Sequence, residues 1–197
     1  MLEKKNKKTL ISGAVFVFIL IAFDQLTKYL AVLFLKGQPA IPIIKEVFEL
    51  KYLENTSAAF GMDPVSLLHN IFQFEIFKSN PELYLNVRMG FFYILTIAMI
   101  VFFVWVYKKI PQVKRMVYLD YIILFLIAGA IGNLIDRVIQ QYVVDFLYFK
   151  LINFPIFNVA DIYVTCSCIM LLVLGVFYYK DEDIDMIFPP KKKEKES

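Results

Sequence analysis

Four long apolar runs punctuate the chain. The first follows a basic start, extends from Leu10 to Phe23, and resumes past Asp24 and Lys28 to Leu35. The second, Met89 to Tyr107, ends in Trp105 and Tyr107, aromatic residues favoured at a membrane–water boundary. The third runs from Val117 to Ile135 and is broken only by Asp120; the fourth runs from Ile162 to Tyr179. Each approaches the ~20 residues a helix needs to cross about 30 Å of hydrocarbon. The pattern predicts spans at about 10–35, 89–107, 117–137 and 160–179.

The connection at 36–88 differs in kind. Gly37, Pro39 and Pro42 end the first helix, and Val47 to Leu53 partly alternates apolar with polar, as in a short strand or hairpin lying on the membrane surface. From His69 to Leu85, Phe72, Phe74, Ile76 and Phe77 mix with Glu75 and Lys78; an interfacial amphipathic helix and a further strand both fit. The expected architecture is a membrane all-α core of four transmembrane helices, with a small extracytoplasmic β-type segment between spans one and two. Residues 1–185 form one domain and 186–197 a basic tail. A cleaved signal peptide is the rival reading of the N-terminus. No small-x-small site follows the apolar core, so a retained helix is expected.

Composition agrees. Of 197 residues 59% are hydrophobic, against about 45–50% in soluble domains, so the class is integral membrane protein. The net charge of +3 matters less than its placement. Lysines and arginines cluster at Lys4–Lys8, at Lys108–Arg115 and at Lys191–Lys195. Four spans put all three clusters on one side, which the positive-inside rule makes cytoplasmic, with both termini. Segments 36–88 and 139–157 then face outward. Cys166 and Cys168 point to different sides of a helix, which argues against a shared metal or a disulfide; they read as small buried packing residues. His69 has no obvious ligand partners, and no Gly-rich phosphate loop is present. No metal, cofactor or nucleic-acid partner is expected.

The polar residues left unexplained lie mostly between Gly132 and Asp161. Asn133, Asp136 and Arg137 share a face at the outer end of span three, and Asn158 and Asp161 open span four. Asp145 lies on the loop between them, and Asp24 with Lys28 sits near the outer end of span one. Each has a bland explanation: an Asp136–Arg137 ion pair at a helix end, Asn158 as a cap, Asp161 opposing the helix dipole, an Asp24–Lys28 structural pair. Their convergence on one membrane depth favours a site. Two neighbouring carboxylates cannot both ionise; one then takes a proton from water while the other hydrogen-bonds an attacked carbonyl. Asp145 and Asp161, on either side of a loop containing Pro155, suit that aspartic peptide hydrolysis. A proton-coupled carrier expects acids spread through the membrane depth, and a lipid- or helix-binding scaffold leaves the paired aspartates unexplained.

Five blocks in order carry a resemblance: D-Q-L-T-K at 24–28, N-T-S-A-A-F at 55–60, G-N-L-I-D-R at 132–137, V-V-D-F at 143–146 and F-N-V-A-D at 157–161. Together they resemble lipoprotein signal peptidase, the bacterial signal peptidase II, an inner-membrane aspartic peptidase. The resemblance implies a catalytic dyad at Asp145 and Asp161, with Asp24, Asn55, Asn133, Asp136, Arg137 and Asn158 shaping and supporting the site. It implies substrates that are prolipoproteins whose cysteine carries diacylglycerol, cut just before that cysteine at the outer face of the membrane. Membrane lipid is the other partner, and a monomer suffices because every motif lies in one chain. Ser57 stands where the family pattern has glycine. Residues 63–85 exceed the family's compact connection and form either a lid or strand over the cleft or an inert elaboration.

Overall fold

The computed structural model describes residues 5–56, 64–72 and 75–189. Four of its helices are long and apolar enough to cross a membrane: α1 (Lys7–Leu35), α4 (Pro81–Lys109), α5 (Val117–Gln140) and α6 (Val159–Phe177). The segment between the first two of them holds two short helices, α2 (Pro64–Phe72) and α3 (Glu75–Ser79). The ambiguous stretch at 69–85 is therefore helical wherever it is described, apart from Asn80 between α3 and α4. Residues 57–63, with Ser57, and the side chain of His69 lie outside the described residues.

Helix α4 starts eight residues before the apolar run. Asn80 accepts the Leu83 N–H at 3.1 Å, and Pro81 occupies the first position, where a missing N–H costs nothing. The cap therefore draws Glu82 and Arg88 into the helix, where hydropathy alone excludes them. Helix α1 is capped in the same way, by Asn6 accepting from Thr9 N at 3.0 Å.

Helix α5 is the most buried of the four and forms the axis of the bundle. Leu119, Ile122, Ile123, Leu126, Ile127 and Ala128 pack against Val17 of α1, Val106 and Tyr107 of α4 and Tyr163 of α6. Against α6 the approach is close: a Cβ on Gly129 would lie 2.6 Å from the Ala160 carbonyl oxygen. The outward faces of α1, α4 and α6 expose large apolar side chains, which in a bilayer meet hydrocarbon. Cys166 and Cys168 lie on such outward faces and are exposed, not buried as expected. Apolarity marks lipid-facing and core-facing positions alike, so composition could not separate them.

The small sheet carries the other half of the design. β1 (Ile41–Ile44) and β2 (Phe48–Asn55) form the expected β-type segment, and β3 (Val143–Tyr148) joins them antiparallel in the order β1-β2-β3. Thus the loop expected between spans three and four contains a strand. Its first four residues are buried, so the polar–apolar alternation that marks a half-exposed strand is missing. Side chains along a strand alternate faces. Val144 and Phe146 pack on Ala31 and Leu35 at the end of α1, which turns Asp145 the opposite way. The chain then passes a 3₁₀ turn at Lys150–Ile152, reverses through Asn153 at φ 47°, and returns so that Phe157 N–H donates to Leu147 O at 3.0 Å. That return delivers Asn158 and the start of α6 beneath β3. At the other end of the bundle α7 (Asp181–Ile187) packs Ile187 into the core and pairs Asp183 with Arg115 at 2.8 Å.

Candidate active site

The polar residues picked out in the sequence come together where α1, α5, β3 and the start of α6 meet. Asp24 is fully buried in the C-terminal half of α1 and accepts the Ala160 N–H at 2.8 Å, tying α1 to the first turn of α6. Four residues on, Lys28 is 2% exposed, with its Nζ 2.9 Å from Asp24 Oδ2, 3.1 Å from Asp136 Oδ2 and 2.9 Å from Asn133 Oδ1. One cation thus sits among two carboxylates and an amide oxygen. Gln25 completes the frame by donating to the Gly132 carbonyl at 3.1 Å and to Asp136 Oδ1 at 3.0 Å.

Asp136 departs from its expected pairing. Among the described residues its ion pair is with Lys28 of α1, not with neighbouring Arg137. Successive residues on a helix point about 100° apart, so adjacency in sequence is a poor predictor of contact. The other job of Asp136 is to accept the Val144 N–H at 3.1 Å, which fixes β3 beside α5. Arg137 lies with its guanidinium 5.8 Å from the Phe92 ring centre, and its carbonyl accepts from Tyr93 at 2.8 Å.

Asparagines translate this frame into positions for the two remaining aspartates. An ammonium only donates, so the Asn133 atom facing Lys28 is the amide oxygen, and the Asn133 NH₂ is left to face Asp161 Oδ1 at 2.8 Å. Asn158, fully buried, caps α6 by accepting the Asp161 N–H at 3.0 Å, and Asp161 Oδ2 returns a bond to the Asn158 N–H at 3.2 Å. This capping box places Asp161 in the first turn of α6. The Asn158 NH₂ meanwhile reaches Asp145 Oδ1 at 2.7 Å and Asn133 Oδ1 at 3.1 Å. Asn55, at the end of β2, donates to Asp145 Oδ2 at 2.8 Å. Both oxygens of each aspartate are therefore held, and one side chain, Asn158, touches both aspartates.

Asp145 is 1% exposed. Burial pushes its carboxyl up to about 7, and the charge of Asp161 adds to the rise; hydrogen bonds from Asn55 and Asn158 work against it. At neutral pH the pair is poised to hold a proton between its members. All eight residues singled out from the sequence lie in this cluster or border it. Gln25 was not among them, and Lys28 was read only as the structural partner of Asp24, although a charge in such apolar surroundings needs partners and this one has three. Among the described residues no group of three His, Cys, Asp or Glu is arranged to hold a metal ion.

Comparison with known proteins identifies the family. The family model described as Signal peptidase (SPase) II matches residues 16–177. The lipoprotein signal peptidase of Caldanaerobacter subterraneus subsp. tengcongensis is 37% identical over 164 residues, covering 83% of this chain and 94% of that protein. The lipoprotein signal peptidase of Bacillus subtilis is 33% identical over 180 residues, covering 90% of this chain and 94% of that one. Among solved structures, a bacterial membrane enzyme determined by the in meso method at 2.3 Å is 27% identical, with a TM-score of 0.60 and 98% of both chains covered. A second, at 1.9 Å, is 28% identical with a TM-score of 0.63, covering 91% of this chain and 99% of that one. A match reaching all four membrane-crossing helices, with relatives above 30% identity over most of the chain, places this protein in the signal peptidase II family of multi-pass membrane peptidases.

Proposed function

We propose that the chain is an aspartic endopeptidase that removes the signal peptide from diacylglyceryl-modified prolipoproteins, cutting just before the lipidated cysteine at the outer face of the cytoplasmic membrane. The observation that carries this reading is the double contact of Asn158, whose side chain bonds Asp145 Oδ1 and the Asp161 N–H and so binds the two aspartates into one unit. In the reaction the ionised member takes a proton from water. The protonated member hydrogen-bonds the scissile carbonyl as the tetrahedral intermediate forms, and then a proton passes to the leaving amine. Asp24, Asn55, Asn133, Asp136, Arg137 and Asn158, with Lys28 and Gln25, hold the pair in place. One chain supplies every group.

The depth of the site supports the substrate. A precursor held by its own apolar helix and two acyl chains presents its scissile bond at the membrane edge, and binding there makes attack effectively intramolecular. Basic segments at the N-terminus, at 108–115 and at the C-terminus favour the cytoplasm for both ends, which puts the aspartates at the outer edge. The test is a reconstituted protein given a precursor with and without diacylglycerol. The expected product begins at the modified cysteine, with the unmodified precursor cut far more slowly. Cleavage elsewhere, or equal cleavage of both precursors, contradicts the reading.

A further inference from the structure

Helix α6 has two flanks besides its buried face, and only one of them leads to Asp161. The buried face carries Ala160, Tyr163 and Ser167. Asp24 binds the Ala160 N–H, and the Tyr163 hydroxyl reaches the Leu20 carbonyl at 3.4 Å, so α1 covers that side. Starting from Asp161, the residues Thr165, Cys168, Leu172 and Gly175 follow at spacings of four, three, four and three, the rhythm of a helix–helix seam. At 100° per residue they fall within about 80° of arc. All four are exposed, Leu172 by 71%, and a Cβ added to Gly175 would meet nothing within 4 Å. Helix α4 packs mainly on α5, and the seam residues Thr165, Cys168, Leu172 and Gly175 stay exposed among the described residues.

We propose that this seam docks the apolar helix of the signal segment, antiparallel to α6, and so threads the scissile bond to Asp161. The proposal rests on the peptidase reading above and names where its substrate lies. The length fits: Asp161 to Gly175 spans about 21 Å at 1.5 Å per residue, and the apolar core of a signal peptide, 7–15 residues, is about 10–22 Å long as a helix. The chemistry fits a helix better than an acyl chain. Thr165, Cys168 and Gly175 are small enough to let a second backbone approach closely, and a lone acyl chain has no need of that. The cleft of about 380 Å³ between the first half of α5 and the first half of α6, lined by Tyr121, Phe125, Ile162, Cys166 and Met170, lies on the opposite flank of α6 from the seam. The chain's two cysteines thus report on the two flanks, Cys168 on the seam and Cys166 on the cleft.

A precursor with one thiol in the middle of its signal helix, its lipidated cysteine being a thioether, is oxidised with copper phenanthroline in the presence of full-length protein. The protein carries Asp145→Asn, to keep the precursor whole, and either C166S or C168S. The expected result is a disulfide with the C166S protein, which keeps Cys168, and little with the C168S protein. Equal capture, preferred capture by Cys166, or no capture by either while the C166S and C168S proteins with an intact dyad still cut the precursor overturns the seam and leaves the peptidase reading standing. If the wild type does not cut, the peptidase reading falls and the seam with it. Kinetics add a second readout: C168W raises KM about tenfold with kcat little changed, while V173W on the other flank leaves both as they were. An unchanged KM in C168W overturns the proposal.

Discussion

Lys28 is the residue on which the geometry of the site turns. Its ammonium lies between Asp24 and Asp136, and it dictates which way the Asn133 amide faces. Removing one partner from so buried a set leaves uncompensated charge, which in general costs about 3–5 kcal/mol. At Asp145 the balance is different, because burial and the neighbouring Asp161 raise its carboxyl to about 7 while Asn55 and Asn158 favour its ionised form. Two consequences follow for pH. The folded protein loses stability as pH rises from the ordinary carboxyl value of 3.8 toward about 7, since the unfolded carboxyl ionises freely and the folded one resists. Activity that needs one proton on the pair declines above about 7. Asn55→Ala removes a bond to the carboxylate, so the alkaline limb of the kcat/KM profile is expected to move to higher pH as the rate falls. A limb that stays fixed or moves lower contradicts this assignment of the shift.

At the scale of elements, the spans could be read directly from the sequence and β3 could not. Long apolar runs fix the number of helices, and Asn158 followed three residues later by Asp161 is a cap signature visible in the sequence. A short strand buried on both faces has no alternation to reveal it, and pairing across some ninety residues, such as Asn55 with Val143, leaves no local trace. Motif blocks pointed to Asp145, Asp161 and most of the residues that the structure gathers around them. The hydrogen bonds between supports depend on how α1 and α5 cross, so Lys28 was visible only as half of an i, i+4 pair. The packing of α6 on α5 depends in turn on small residues. Gly129→Val would drive its side chain into the Ala160 carbonyl and the Val164 side chain, at 2.6 and 2.7 Å from the new Cβ. Prising α6 from α5 is expected to cost about 1–3 kcal/mol, lowering Tm, and to slow cleavage by moving Asn158 away from Asn133. Gly90→Ala on α4, where a Cβ meets nothing within 4 Å, is the control and is expected to leave the Tm unchanged or raised. Equal effects of the two substitutions would contradict the close-packing account.

As a whole molecule the chain is a polar site built at one end of an otherwise apolar bundle. The sheet closes that end, with β3 packed on α1 and anchored by Asp136, and the polar groups share one level rather than a path through the bilayer. This arrangement suits hydrolysis at a surface and not ion transport, which needs polar groups along its length. Orientation is tested by a reporter fused after Ser197, expected in the cytoplasm; a reporter found outside would put the aspartates on the wrong face for exported precursors. The central claim is that Asp145 and Asp161 are the acid–base pair. Its most direct measurement is the rate at which equal amounts of reconstituted wild type, Asp145→Asn and Asp161→Asn protein cut a diacylglyceryl-modified precursor. The account predicts cleavage by the wild type and a loss of about 10²–10⁴-fold or more in each variant with folding intact. A folded variant that cuts at the wild-type rate would contradict it.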